Sequence, residues 1–472
     1  MSTECNQSRF EFHVVSKRQV VARFDGGAIT SDAGGLLLRQ VEERTGIIAR
    51  LAGCFRDYRD PDKIEHTVEQ LVGQRIYGLA LGYEDLNDHD QLRQDPLLAA
   101  LIGKHDPEGG DRRRERERGK AGAGRSTLNR LELTPADANA KHRYKKIALD
   151  EAVVDLAFVE LFFEAHATAP EEIVLDLYAT DDPIHGEQEG RFFHGFYNEY
   201  CYRPLYIFCG EFLLCARLRP SNIDASAGAL EEVERIVVRI RSSWPQVRII
   251  LRADSGFCRD KIMSWCEANR GDYVFGVAKN QRLVRAIGAE LQQARREFEQ
   301  TGKPARVFRE LQYQTRKTWS RKRRVVAKAE HLAKGANPRF VVTSITPEQM
   351  AARELCEDLY CARGEMENRI KEQQLWLFAD RTSTAYLRSN QIRLYLSSFA
   401  YLLMQALRRL GLQGTEMARA QCGTIRLKLL KIGAQVRITV RKIWVSMTSA
   451  CPFALLFEEV YRNLQRIEPL RC

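Results

Sequence analysis

Asp176, Asp254 and Glu367 are the residues whose types and settings suit metal-assisted phosphoryl transfer. That chemistry needs oxygen donors from separate chain elements converging on one point. Two divalent ions about 3.5–4 Å apart then stabilise the attacking and leaving oxygens. Asp254 ends the apolar run Val247-Arg-Ile-Ile-Leu-Arg252 and precedes Ser255-Gly256-Phe257, which sets a carboxylate at a strand end beside a tight turn. The plainer alternative for Asp254 is a helix cap. Glu367 follows Tyr360 and Arg363 and precedes Lys371, spacings that put all four on one helix face. The plainer alternative there is a surface ion-pair ladder.

The elements that must position these groups follow from hydrophobic period. Ile173-Val-Leu-Asp-Leu-Tyr178 reads as a buried strand, and Arg191–Tyr200 and Pro204–Leu218 as two further β-rich runs. After Asp224 come a helix with Leu230, Val233, Ile236, Val237 and Ile240, the strand ending at Arg252, a helix Lys261–Ala268 and a strand Tyr273–Val277. Three strands in a meander, then helix, strand, helix, strand, is the order of an RNase H-like mixed-sheet core. Asp254 and Glu367 are 113 residues apart, too far for one connection, so a domain is inserted between them. It would comprise a charged helix (Leu283–Phe298) and three strand-like runs, Arg306–Gln314, Arg323–Ala329 and Arg339–Ile345. The helix Leu355–Gln374 and the apolar helix Ile392–Leu410 follow, then Thr424–Lys431 and Val436–Val440 as a hairpin.

The α/β organisation expected is therefore a mainly helical N-terminal region over 1–165, in which Ser31-Asp32 can cap a helix. The catalytic core runs over 166–280 and resumes over 347–415 with the glutamate helix. A β-rich insertion occupies 281–346, and a C-terminal hairpin and helix occupy 416–472. The arginine-rich stretch Asp111–Lys120 reads as a solvated linker with phosphate contact as the alternative.

A length of 472 residues suits two or three lobes, and the net charge of +11 with pI near 9.1 suits a polyanionic partner, or a basic enzyme with a solvated face. No run approaches a membrane span, and the opening Met1-Ser-Thr-Glu-Cys-Asn lacks the layout of a secretion signal, so a cytoplasmic location is expected. Twelve cysteines run from Cys5 to Cys472 without a Cys-x2-Cys pair, which reads as reduced, packed thiols rather than a zinc site. Gly26-Gly27 and Gly34-Gly35 lack a nucleotide-binding frame, and His185, His194 and His331 form no cluster. In Arg316-Lys-Thr-Trp-Ser-Arg-Lys-Arg-Arg324, six cations surround Trp319. Phosphate attraction beside a stacking platform makes Trp319, Arg321, Lys322, Arg323 and Arg324 candidate DNA contacts. A solvated turn with a partly buried Trp is the alternative.

Tyr360-x2-Arg363-x3-Glu367 resembles the third-carboxylate signature of insertion-sequence DDE transposases. Together with Leu251-Arg-Ala-Asp-Ser-Gly-Phe257 and Asp182-Pro-Ile-His-Gly-Glu-Gln188, it resembles DDE group 1, the insertion-sequence 1380 family, from about Phe24 to about Leu410. The resemblance implies Mg²⁺ or Mn²⁺ held by Asp176, Asp254 and Glu367, and DNA contact by Tyr360, Arg363 and Lys371. It implies cleavage and strand transfer at inverted-repeat DNA ends, with a homodimer in the synaptic complex. Two departures stand out. The lysine often found seven residues after the glutamate is Gln374, and the usual Asp-Leu-Asp-Ala-Thr reads Asp176-Leu-Tyr-Ala-Thr180. The customary first ligand thus maps to Tyr178, and Asp176 lies about 6–7 Å further back along the strand. An inactive DNA-binding relative and a metal nuclease without strand transfer remain as alternatives.

Overall fold

The computed structural model describes residues 9–467; the opening Met1–Asn6 and the terminal cysteines Cys5 and Cys472 lie outside them. Two compact units emerge, one from Asp150–Ser398 and the other from the chain before and after it.

The Asp150–Ser398 unit is a mixed α/β structure around a nine-stranded mixed sheet. At its centre Glu172–Ala179 pairs in parallel with Arg248–Ala253, which pairs in parallel with Gly271–Gly276. On the other side Glu172–Ala179 pairs antiparallel with Leu205–Cys209, which pairs with Phe212–Arg217. Strand alternation sorts the side chains. Ile173, Leu175 and Leu177 enter a core with Val233, Ile236 and Ile240 of helix Ala229–Ser243 and Ile262 and Met263 of helix Asp260–Ala268. Val174, Ile250 and Val274 enter the opposite core with Leu355, Cys356 and Tyr360. The second face, the one carrying Asp176, Tyr178 and Arg252, is therefore the face on which the chain leading to Glu367 packs.

The three-strand meander is assembled differently from the sequence expectation. Pro204–Leu218 supplies both of its outer strands, because Cys209 pairs with Phe212 around Gly210, whose φ of 58° admits the tight turn. Arg191–Tyr200 leaves the sheet and forms a separate hairpin, Phe192–His194 with Glu199–Tyr202. The three runs of 281–346 become Ala305–Tyr313, Arg323–Leu332 and Arg339–Thr343, and they extend the same sheet through Phe275 opposite Val342. The stretch Leu355–Gln374 is helical but changes winding: a π-helical turn at Leu355–Tyr360, a 3-10 turn at Cys361–Arg363, then an α-helix Gly364–Leu377. Such changes of pitch re-aim side chains, and this one falls on the Tyr-x2-Arg-x3-Glu motif.

In the other unit, helices Gly35–Thr45 and Val68–Leu81 pack with shorter ones, and an exposed hairpin Phe10–Val15 with Arg18–Ala22 precedes them. Asp32 does not cap the first helix, whose N-cap is Gly34; it accepts Tyr83 Oη at 2.6 Å and pairs with Lys431. Thr424–Lys431 is helical rather than a strand. Ile425 and Leu429, one helical turn apart, are buried, and Arg426 donates to the carbonyls of Leu79 and Ala80 at the end of helix Val68–Leu81. Val436–Val440 does lie in a hairpin, with Ala434–Ile438 paired to Ile443–Met447. Among the described residues no helix is long and apolar enough to cross a membrane.

Candidate active site

Strand register decides which side chains meet on the second face. Arg252 sits opposite Asp176, and Ala253 opposite both Leu177 and Phe275. One residue further, Asp254 comes level with Tyr178 on one side and Gly276 on the other. Asp254 Oδ1 accepts the Gly256 N–H at 2.7 Å, so the same residue ends the strand and caps the one-turn helix Ser255–Phe257. Gly276 leaves room for the Tyr360 hydroxyl. A methyl there would collide with Tyr360 Oη and come within 3.2 Å of the Ser255 nitrogen.

The helical segment brings Arg363 and Glu367 to this group. Arg363 Nη1 lies 2.7 Å from Glu367 Oε1 as an ion pair, and Arg363 Nε has no hydrogen-bond partner among the described residues. The guanidinium also stands 5.9 Å from both the Tyr178 and Tyr360 ring centres. Burial alone would lower its pKa; Tyr360, Glu367 and Asp254 more than reverse this, and the net shift is upward. Burial pushes the Tyr178 phenol up to about 12, with Glu367 and Asp254 adding to the rise, so it is neutral at ordinary pH. Asp254 and Glu367 thus act on the same two side chains, Tyr178 and Arg363.

Asp176 is not brought into this group. Its two carboxylate oxygens accept from Arg252 Nε at 2.6 Å and Nη2 at 2.7 Å, and the residue is 2% exposed. Arg252 Nη1 donates in turn to the Leu359 carbonyl at 2.5 Å, tying the π-helical turn onto the sheet. Both Asp176 oxygens are thus engaged by Arg252, one strand step behind Tyr178. Lys371 is exposed and outside the group, and Gln374 Nε2 donates to the Asp181 carbonyl.

The basic segment is also placed differently from the sequence expectation. Trp319 is 6% exposed and meets Tyr313 edge-on, so it offers no free stacking face. Arg323 is buried in ion pairs with Asp260 and Glu267, and Arg324 pairs with Glu310 and donates to the Ile345 carbonyl. Arg321, though exposed, pairs with Glu267. Arg316, Lys317 and Lys322 remain exposed.

A family model described as transposase DDE domain group 1 matches residues 12–469. The chain belongs to that family. No curated protein matches it. Among solved structures, a cryo-electron-microscopy structure of the piggyBac transposase synaptic complex with hairpin DNA is similar at a TM-score of 0.39 and 9% identity, over 94% of this chain and 83% of that one.

DDE transposases generally use divalent metal ions, and the donor set here can be tested against that need. Two carboxylates, a neutral phenol and a guanidinium make up the group. Among the described residues no three His, Cys, Asp or Glu side chains are placed to hold a metal ion. A phenol with its pKa near 12 is a poor Mg²⁺ donor, and Arg363 already neutralises Glu367. The residues present do not fit a two-ion centre.

Two residues of consequence escaped the sequence reading. Arg252 is one; an arginine two residues before Asp254 in an apolar strand shares its face and needs a buried anion, a signal that was available. Gly276 is the other, and a glycine ending a strand gave no comparable signal.

Proposed function

We propose that the chain is an insertion-sequence transposase of the insertion-sequence 1380 type that binds the inverted-repeat DNA ends of its element, and that cleavage and strand transfer are suppressed in this copy. The strand order, with Glu172–Ala179 between the antiparallel pair and the two parallel strands, supports reading the core as RNase H-like. Asp254 and Glu367 are the surviving catalytic positions, and DNA contact falls to Tyr360, Arg363 and exposed cations such as Lys322. Arg363, a guanidinium held charged by Glu367, Tyr360 and Asp254, supplies the group's positive charge for a DNA phosphate. The region 1–165 is proposed to add DNA contacts, and a homodimer to join two ends.

The observation that carries the reading is Tyr178 following on the register level with Asp254 while Asp176, the other carboxylate on that strand face, is held by Arg252. The test is a cleavage assay on a labelled element end with Mg²⁺ or Mn²⁺. Tyr178→Asp should cleave far faster than the unaltered chain, and Asp254→Ala or Glu367→Ala in that background should abolish the gain. Equal rates for the unaltered chain and Tyr178→Asp would overturn the suppression.

A further inference from the structure

The run that left the sheet forms a hairpin whose outer surface is aromatic. Phe192, Phe193, Phe196 and Tyr200 are exposed, Phe196 at 84%. The base of the hairpin is anchored: Ser221 Oγ donates to the Phe192 carbonyl at 2.9 Å, and the Ile184 N–H to the Tyr200 carbonyl at 2.8 Å. The tip is a defined turn rather than a loose loop. Asn198 adopts a φ of 59°, a conformation asparagine tolerates, and its N–H donates to the His194 carbonyl at 2.8 Å. An ordered turn thus holds Phe196 in water.

Tyr197 backs this tip. Its ring packs 5.1 Å from Phe196 and 4.9 Å from His194. Arg191 lies 4.0 Å over the Tyr200 ring, placing a cation among the aromatic faces. Flat exposed rings and an interleaved cation match one occupant. A nucleobase freed from its pair would stack on the rings with Arg191 beside them to meet its phosphate.

We propose that the Phe192–Tyr202 hairpin is a stacking platform for an unpaired base of the DNA end, centred on Phe196. This rests on the reading of the chain as a DNA-end-binding transposase. Two labelled probes test it with the full chain: a blunt duplex of mixed sequence and the same duplex with an unpaired thymidine flap. The unaltered chain should bind the flap probe more tightly than the blunt one. Phe196→Ala should weaken flap binding about tenfold while leaving blunt binding unchanged, and Phe196→Trp should restore it. With 5-iodouracil in the flap, photocrosslinks should map to the hairpin.

At its exposure Phe196 tolerates alanine without unfolding, and an unchanged melting temperature verifies that. Equal binding of both probes, or a flap preference untouched by Phe196→Ala, would overturn the platform while DNA-end binding stands. A Phe196→Ala chain that loses self-association but keeps its flap preference would overturn it too, in favour of a contact between copies. An unaltered chain that binds neither probe would overturn the proposed function itself.

Discussion

Two rows of side chains, one strand step apart on the same sheet face, treat their aspartates in opposite ways. In the outer row Asp254 stands level with Tyr178 and Gly276 and spends one oxygen on the Gly256 N–H. In the inner row Asp176 meets Arg252 and gives up both oxygens. The lateral neighbour decides whether each carboxylate is available for chemistry. A carboxylate facing a buried guanidinium becomes a structural tie, and one facing a glycine at the strand end stays open. Identity at one position in the outer row, tyrosine rather than aspartate, then determines whether the open row holds enough charge for metal ions.

Exchanging the fates of the two rows should give the largest effect. Tyr178→Asp restores a carboxylate level with Asp254, and metal-dependent cleavage of an element end should rise by about a hundredfold or more. Asp176→Asn in the same background should leave that cleavage chemistry intact as far as the fold survives, because Asp176 belongs to the inner row. A loss of cleavage with an unchanged melting temperature would place Asp176 in the reaction instead.

Breaking the inner row comes next. Arg252→Met leaves the Asp176 carboxylate buried without its partner and frees the Leu359 carbonyl. Unfolding by urea should reveal a loss of about 3–5 kcal/mol. A loss below about 1 kcal/mol would mean that the pair is a replaceable contact rather than the tie between the sheet and the motif helix.

The cations of the basic segment divide in the same manner. Arg323→Ala should destabilise the fold by about 2–3 kcal/mol, since it strands Asp260 and Glu267. Lys322→Ala should leave stability unchanged and lower the salt dependence of DNA binding by up to about one unit. An Arg323→Ala chain of full stability with a reduced salt slope would reverse that assignment.

A third aspartate beyond the strand sharpens the comparison at the small end. Asp182 is 1% exposed, and burial with Asp380 nearby raises its pKa well above 3.8 against the opposing pull of Thr382. A raised carboxyl pKa favours the folded state below the ordinary value, and that contribution is lost as pH rises through the raised one. Asp182→Asn should therefore flatten the fall in stability above pH 3.8 and raise stability at neutral pH by about 1 kcal/mol. A steeper fall in the variant would show that an ion pair, not burial, governs this carboxyl.

Much of this was legible in the sequence because it depends on local pattern. The strand ending at Asp254 follows from an apolar run and a turn, the helix of Glu367 from its period, and the departure at Tyr178 from a single residue. What was hidden depends on lateral pairing. Arg252 meets Asp176 across 76 residues of sequence, and no local period reports that contact. Cations in sequence look alike whether solvated or buried, so Arg323 and Arg324 could not be told from Lys322 without the acids opposite them. Thr424–Lys431 alternates well enough to pass for a strand, yet its contacts with helix Val68–Leu81 make it helical. The aromatic run Arg191–Tyr200 has strand chemistry, but its strands pair in a separate hairpin while Pro204–Leu218 supplies the sheet's two outer strands.

The central claim is that the outer row lacks a third carboxylate and that Asp176 does not supply it. Mn²⁺ titration of the folded chain, read by electron paramagnetic resonance, tests this without DNA or turnover. The account predicts no saturable site of submillimolar affinity in the unaltered chain and the appearance of one in Tyr178→Asp, abolished by Asp254→Ala. Tight Mn²⁺ binding by the unaltered chain that disappears in a folded Asp176→Asn variant would contradict it.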